Sequence, residues 1–166
     1  MKVTHKVKVN KIPKLIETLR SMEGRQVEIG ALQGENRWLA GIHEFGCTIP
    51  VTPKMRAFLH HQGLHLKDST TVITIPERSF LRAGYDENEQ RIARQTERAL
   101  SRVLDGKMSV DKMLDAYGEQ FAAAIKLYMR NLSEPPNHPY TIDQKGSSNP
   151  LIDTGGLLES ITWRKI

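Results

Sequence analysis

Cysteine occurs once in this chain of 166 residues, at Cys47, so no disulfide can form within it and a reducing compartment is the expectation. Long apolar runs are missing too. No stretch approaches the ~20 apolar residues of a membrane-spanning helix. The opening residues, Met1 to Lys14, alternate lysines with valines where a signal peptide would carry a continuous apolar core. A soluble protein made in a cytoplasm, with no membrane partner, is expected. Aromatic residues are only 6% of the chain and do not interleave with its lysines, so a base-stacking platform for single strands is unsupported. There is no phosphate-cradling glycine loop and no serine in a nucleophile elbow. His43-Glu44 lacks the second histidine of a zinc-protease helix. Nothing asks for an enzyme, a cofactor or a metal.

The length fits one domain, 1–166, able to bury a core without staples. Basic residues number 24 against 19 acidic, a net charge of +5, which is mild for a dedicated nucleic-acid binder.

Local patterns give the elements. Val3, His5, Val7 and Val9 alternate with Lys2, Thr4, Lys6, Lys8 and Asn10, which predicts a half-buried strand. Ile12, Leu15, Ile16, Leu19 and Met22 recur at helical spacing, with Pro13 in the first turn and Gly24 at the stop. Val27, Ile29 and Ala31 predict a second strand, and Arg37 to Phe45 a short helix before Gly46. From Cys47 to Asp68 two forms compete: Met55, Ala57, Phe58 and Leu59 on a short helix, or one arm of a hairpin turning near Gly63. Thr70 to Ile75 is β-branched and ends at Pro76, a strand.

Two long helices are expected next. One runs from about Asp86 to Asp105, with Ile92, Thr96, Ala99, Leu100 and Val103 on one face and Arg91, Arg94, Glu97, Arg98 and Arg102 polar. The other starts at Ser109, a good N-cap, and carries an apolar stripe from Val110 through Phe121 to Leu132. Glu134 to Pro150, with Pro135, Pro136, Pro139 and Gly146, predicts a long loop. A short helix capped by Asp153 or Thr154 and a strand from Ile161 to Ile166 close the chain. The order argues for α+β: two long helices on one face of a small, mostly antiparallel sheet.

Three constellations invite chemistry. Leu151-Ile152-Asp153-Thr154-Gly155-Gly156 looks like an aspartic-protease loop, in which paired carboxylates share a proton. Only 13 residues follow Asp153 in the chain of 166, too few for the supporting strands, so a helix cap is the better assignment. His60, His61 and His65 cluster, and His61 and His65 would share a helix face, but a metal site needs three or four converging ligands. Lys2, Lys6 and Lys8 share one strand face with no acid before Glu17. They could meet phosphates or, more simply, keep an edge strand from pairing with strangers.

Three segments together carry a family resemblance. They are Leu39-Ala40-Gly41-Ile42-His43-Glu44-Phe45-Gly46, Ile75-Pro76-Glu77-Arg78-Ser79-Phe80-Leu81-Arg82, and Leu151 to Ile161 with Asp153, Thr154, Gly155, Leu158 and Ser160. Their order resembles the phage virion-morphogenesis and tail-completion proteins, of the Mu G-like and lambdoid types. The resemblance implies a structural protein of the virion neck or head–tail connector, such as a tail terminator. It implies a homo-oligomeric ring, commonly a hexamer, with other neck and tail proteins as partners and DNA in passing contact. Ring closure from identical copies needs a heterologous interface. Phe45, Phe80, Leu158 and Ile161 are expected as core anchors. Residues 47–69 look like an insertion and 134–150 like a long loop, and both are candidates for arms reaching a neighbouring subunit. On that expectation, deleting Pro136 to Ser148 weakens assembly and leaves the monomer folded.

Overall fold

The computed structural model describes residues 10–166; the strand expected over the first ten residues, with Lys2, Lys6 and Lys8, falls almost wholly outside that range. Helix α1 (Ile12–Arg20) begins with Pro13 in its first turn, as its fixed φ favours. Strand β1 (Val27–Ala31) leads to α2 (Glu35–Phe45), which stops at Gly46. Gly46 has φ +69°, and a Cβ there would fall 2.9 Å from both Ile75 O and Glu77 N, so neither the conformation nor the space admits another residue.

Strand β2 (Cys47–Pro50) and β3 (Val72–Ile75) pair antiparallel, Cys47 opposite Ile75 and Pro50 opposite Val72. Between them lies α3 (Pro53–His61), capped by the Thr52 hydroxyl accepting from Met55 N at 3.1 Å. The helical form of that segment wins because Thr52 and Pro53 supply a cap and a first-turn proline together.

The single helix expected from Asp86 to Asp105 is instead preceded by another, α4 (Phe80–Asp86), with α5 at Glu89–Leu104. Helix α6 (Val110–Asn131) is the axis of the fold. Ser109 caps it, its hydroxyl accepting from Lys112 N at 3.3 Å. The expected loop at 134–150 contains α7 (Pro139–Lys145), started by His138 and closed by left-handed Gly146. Finally α8 (Gly156–Ser160) runs straight into β4 (Ile161–Lys165). Neither Asp153 nor Thr154 is the N-cap of α8; Gly155 is, and Thr154 Oγ1 only accepts a long bond, 3.4 Å, from Gly156 N.

The class is α+β: eight helices among the described residues, 55% helical, with two antiparallel pairs. One sheet was expected; two separate ribbons form, β1–β4 and β2–β3. The first pairs Ala31 with Ile161 and Val27 with Lys165. Helix α6 packs on this ribbon, and α4 and α5 pack on α6. Gly118 of α6 sits against the Trp163 ring; a Cβ there would come within 2.4 Å of it. The main core gathers Phe80, Ile125, Met129, Leu151, Leu157 and Ile161, with Leu158 half-buried against it. Phe80 and Phe121 are fully buried or nearly so, each worth about 2–3 kcal/mol by area removed from water. No described helix is long and apolar enough to cross a membrane.

Candidate functional site

The three sequence segments meet at one place, the end of α2. Arg78 N donates to His43 O at 2.7 Å, which fastens the second segment to the first. One residue on, the Glu44 carboxylate, 3% exposed, accepts from Leu81 N (2.8 Å), Arg82 N (3.1 Å) and Arg82 Nε (2.9 Å). Those two amides lie in the first turn of α4, whose own N-cap Ser79 makes no side-chain bond. Glu44 therefore caps α4 from another helix, a buried charge made tolerable by three donors and a helix N-terminus. Arg82 also bonds Glu77 at 2.6 Å and lies over the Phe45 ring, 5.2 Å from its centroid.

Arg78 is 4% exposed and its guanidinium faces no carboxylate within bonding distance. Nε donates to Pro135 O at 2.8 Å, and one terminal nitrogen donates to Pro136 O (3.1 Å) and Asn137 Oδ1 (3.2 Å). Burial holds this group's pKa below its ordinary value. The far end of the same segment is tied by Asn149. Its Nδ2 donates to Met129 O (3.0 Å), Arg130 O (3.1 Å) and Leu132 O (3.3 Å), the orphan carbonyls at the end of α6. Its Oδ1 accepts from Leu151 N and Ile152 N at 2.8 and 3.0 Å. Lys145 Nζ bridges Asn149 O and Ile152 O. Residues 134–150 are thus a strap across the core rather than a free loop.

Under the strap lies a small cleft lined by Asn36, His43, Asn137, Lys145, Asp153 and Thr154 among others. Burial first, then the charges of Arg78 and Lys145, lowers the His43 pKa from 6.5 to about 4, and its Nδ1 is buried without a partner. The ring is neutral at pH 7. Thr154 and Ser160 spend their hydroxyls on local backbone, Ser160 donating to Leu157 O at 2.7 Å. Asp153 is exposed and no second carboxylate lines the cleft with it, so one copy holds no paired-carboxylate site.

The histidine cluster takes another shape than expected. Helix α3 ends at His61, so His65 lies beyond it and meets His60 instead, Nδ1 to Nδ1 at 2.7 Å. All three histidines are exposed, and no group of three or more metal-ligating side chains converges among the described residues.

Phe45, expected in the core, is 70% exposed. It shares a face of α2 with Trp38, 74% exposed, and between them Gly41 and Ile42 form the floor of a shallow apolar groove. A Cβ on Gly41 would meet nothing within 4 Å, so the floor is open. Sequence reasoning missed Glu44, Asn149 and this groove. Trp38 and Phe45 at i and i+7 were the available signal for the last. No protein-family model, curated protein or solved structure matches the chain.

Proposed function

We propose that the chain is a structural component of a tailed bacteriophage or prophage, a tail-completion or tail-terminator-type neck protein. It acts by assembling into a ring at the head–tail junction, with neighbouring neck and tail proteins above and below, and catalyses no reaction. The resemblance of the three segments supplies the family.

The observation that carries the assembly role is a pair of apolar faces left exposed among the described residues. Ile12, Leu15, Ile16 and Leu19 line one side of α1 and are all exposed. Trp38, Gly41, Ile42 and Phe45 line the exposed side of α2. Both sets follow the spacing i, i+3, i+4, i+7, so an aliphatic ridge about 10 Å long on one copy matches in length a groove with aromatic walls on another. Helix α1 packs on α5, whereas α2 packs on α4, α8 and β1, so the faces belong to different parts of the fold. Monomers rarely leave such patches open. Two different faces that fit each other make the heterologous contact a closed ring needs.

The test is electron microscopy of purified virions from a strain carrying the chain, beside one carrying Trp38→Glu with Phe45→Glu. A ring of the chain at the head–tail junction, lost in the double variant along with particle yield, is expected. Finished wild-type particles without the chain would overturn the proposal.

A further inference from the structure

Helix α5 turns its apolar side, Ile92 and Val103, into the core. Its outer side carries Arg91, Arg94, Arg98 and Arg102, all exposed. At ~100° per residue the four fall within a sector of about 80°, and they span roughly 16 Å along the axis. Among the described residues none of them takes part in an ion pair; Arg91 donates to Asn88 Oδ1 at 2.9 Å, a neutral partner. Glu89 and Glu97 of the helix point about 60° or more away from the nearest arginine of the row, and Asp105, its C-cap, falls within the row's sector but is paired with Lys107. Glu87 stands beside the start of the row.

The row does not end with the helix. Arg102 also lines a groove where α1, α5 and α6 meet, together with Lys14, Lys107, Lys112, Thr18 and Ser109, and no carboxylate lines it. Lys14 reaches over the end of α5, its Nζ 3.4 Å from where a Cβ on Gly106 would lie. Lys107 is neutralised by Asp105 at 2.8 Å. Lys14 and Lys112 have no ion-pair partner among the described residues. Six cations, four of them guanidinium groups, therefore form one track along α5 and into the groove it shares with α1 and α6.

We propose that this track binds the phosphate backbone of duplex DNA. Like charges in a row repel one another, and a polyanion of matching extent relieves that repulsion. Guanidinium forks suit phosphate oxygens. Duplex DNA carries one charge per ~1.7 Å, so about 16 Å of it presents roughly ten phosphates, of which four to six meet the track. The track has no aromatic residue, which removes base stacking and with it a single-strand preference. An acidic protein partner would need an apolar centre to its interface, and the row has none. A membrane surface would need the apolar side of α5, which is buried on α6. The proposal uses none of the neck assignment and stands or falls separately.

The full chain is titrated into a fluorescent 30-base-pair duplex, read by anisotropy from 50 to 300 mM KCl. The logarithm of affinity should fall against that of salt with a slope of about −4 to −5. Arg94→Glu, Arg98→Glu and Arg102→Glu together should weaken binding at least ~100-fold at 100 mM salt, with circular dichroism unchanged because all three are exposed. Lys2→Glu with Lys6→Glu and Lys8→Glu should leave most of the affinity. If the charge reversals alter the fold, glutamine at the same three positions should still cut the slope by about 3. No binding by the wild type at 50 mM salt overturns the proposal. So does binding that survives the arginine changes or depends on the lysines alone.

Discussion

Two segments of this chain invite the same reading from sequence, and the fold treats them in opposite ways. Residues 47–69 and 134–150 both read as additions to a simpler framework. The first closes at its base through the β2–β3 ribbon and holds itself together. Arg56 of α3 donates to Leu66 O (3.2 Å) and Lys67 O (2.9 Å) within the excursion and to Thr70 O (2.6 Å) at its edge. None of α3 is buried, and Phe58 stands 60% exposed. The second is tied down along its length by Arg78, Asn149 and Lys145. A polar side chain that satisfies its own excursion leaves it free to serve as an arm. One that reaches out of the core makes the excursion part of the core.

That contrast is open to direct attack, most severely at Arg78. Replacing it with Met leaves two proline carbonyls and the Asn137 amide oxygen without their donor, at a cost of about 3 kcal/mol. Urea unfolding should show that loss, and limited proteolysis should open the chain between Pro135 and Asn149. Deleting Pro136 to Ser148 should unfold the monomer outright, which reverses the expectation drawn from sequence that it would stay folded. A stable deletion variant would remove the distinction between the two segments.

Next in size is the effect of pH through His43, beneath the strap. Its folded pKa of about 4 lies below the ordinary 6.5, so between these values the unfolded chain binds the extra proton. Stability from this group is therefore level above pH 6.5, falls as pH drops to about 4, and is level again below. His43→Gln should flatten that part of the profile when urea midpoints are compared at pH 7.5, 6.5, 5.5 and 4.5. Parallel curves for the two proteins would mean that the ring is not buried as described.

The smallest effect belongs to the free segment. Arg56→Ala should lower global stability by less than about 1 kcal/mol, because the region it ties opens locally. Amide exchange should quicken from Pro53 to Thr70 and stay unchanged in α6. Loss of protection in α6 would show that the segment is coupled to the core after all.

Part of this was open to inspection in the sequence. Ser109 and the stripe from Val110 to Leu132 identified α6 because cap and period are local signals. The β1 strand, the fate of Gly46 and the burial of Phe80 and Ile161 followed from the same kind of evidence. Helix α4 did not: the expected helix began only at about Asp86, and the group that caps α4, Glu44, comes from another helix 37 residues away. Phe45 misled because an aromatic before a glycine looks like a core anchor, whereas α2 turns that side outward with Trp38.

What the sequence by itself determined is periodic and short-range. It decided helices α1, α2, α5 and α6, the α+β class and the charges on α5, since each depends on residues within a turn or two. Tertiary structure alone decided which polar groups are satisfied by whom. Glu44 serves α4 across 37 residues and Arg78 holds a strap 57 to 59 residues away. A buried charge must find its partners in three dimensions, and no spacing rule along the chain encodes where they will be.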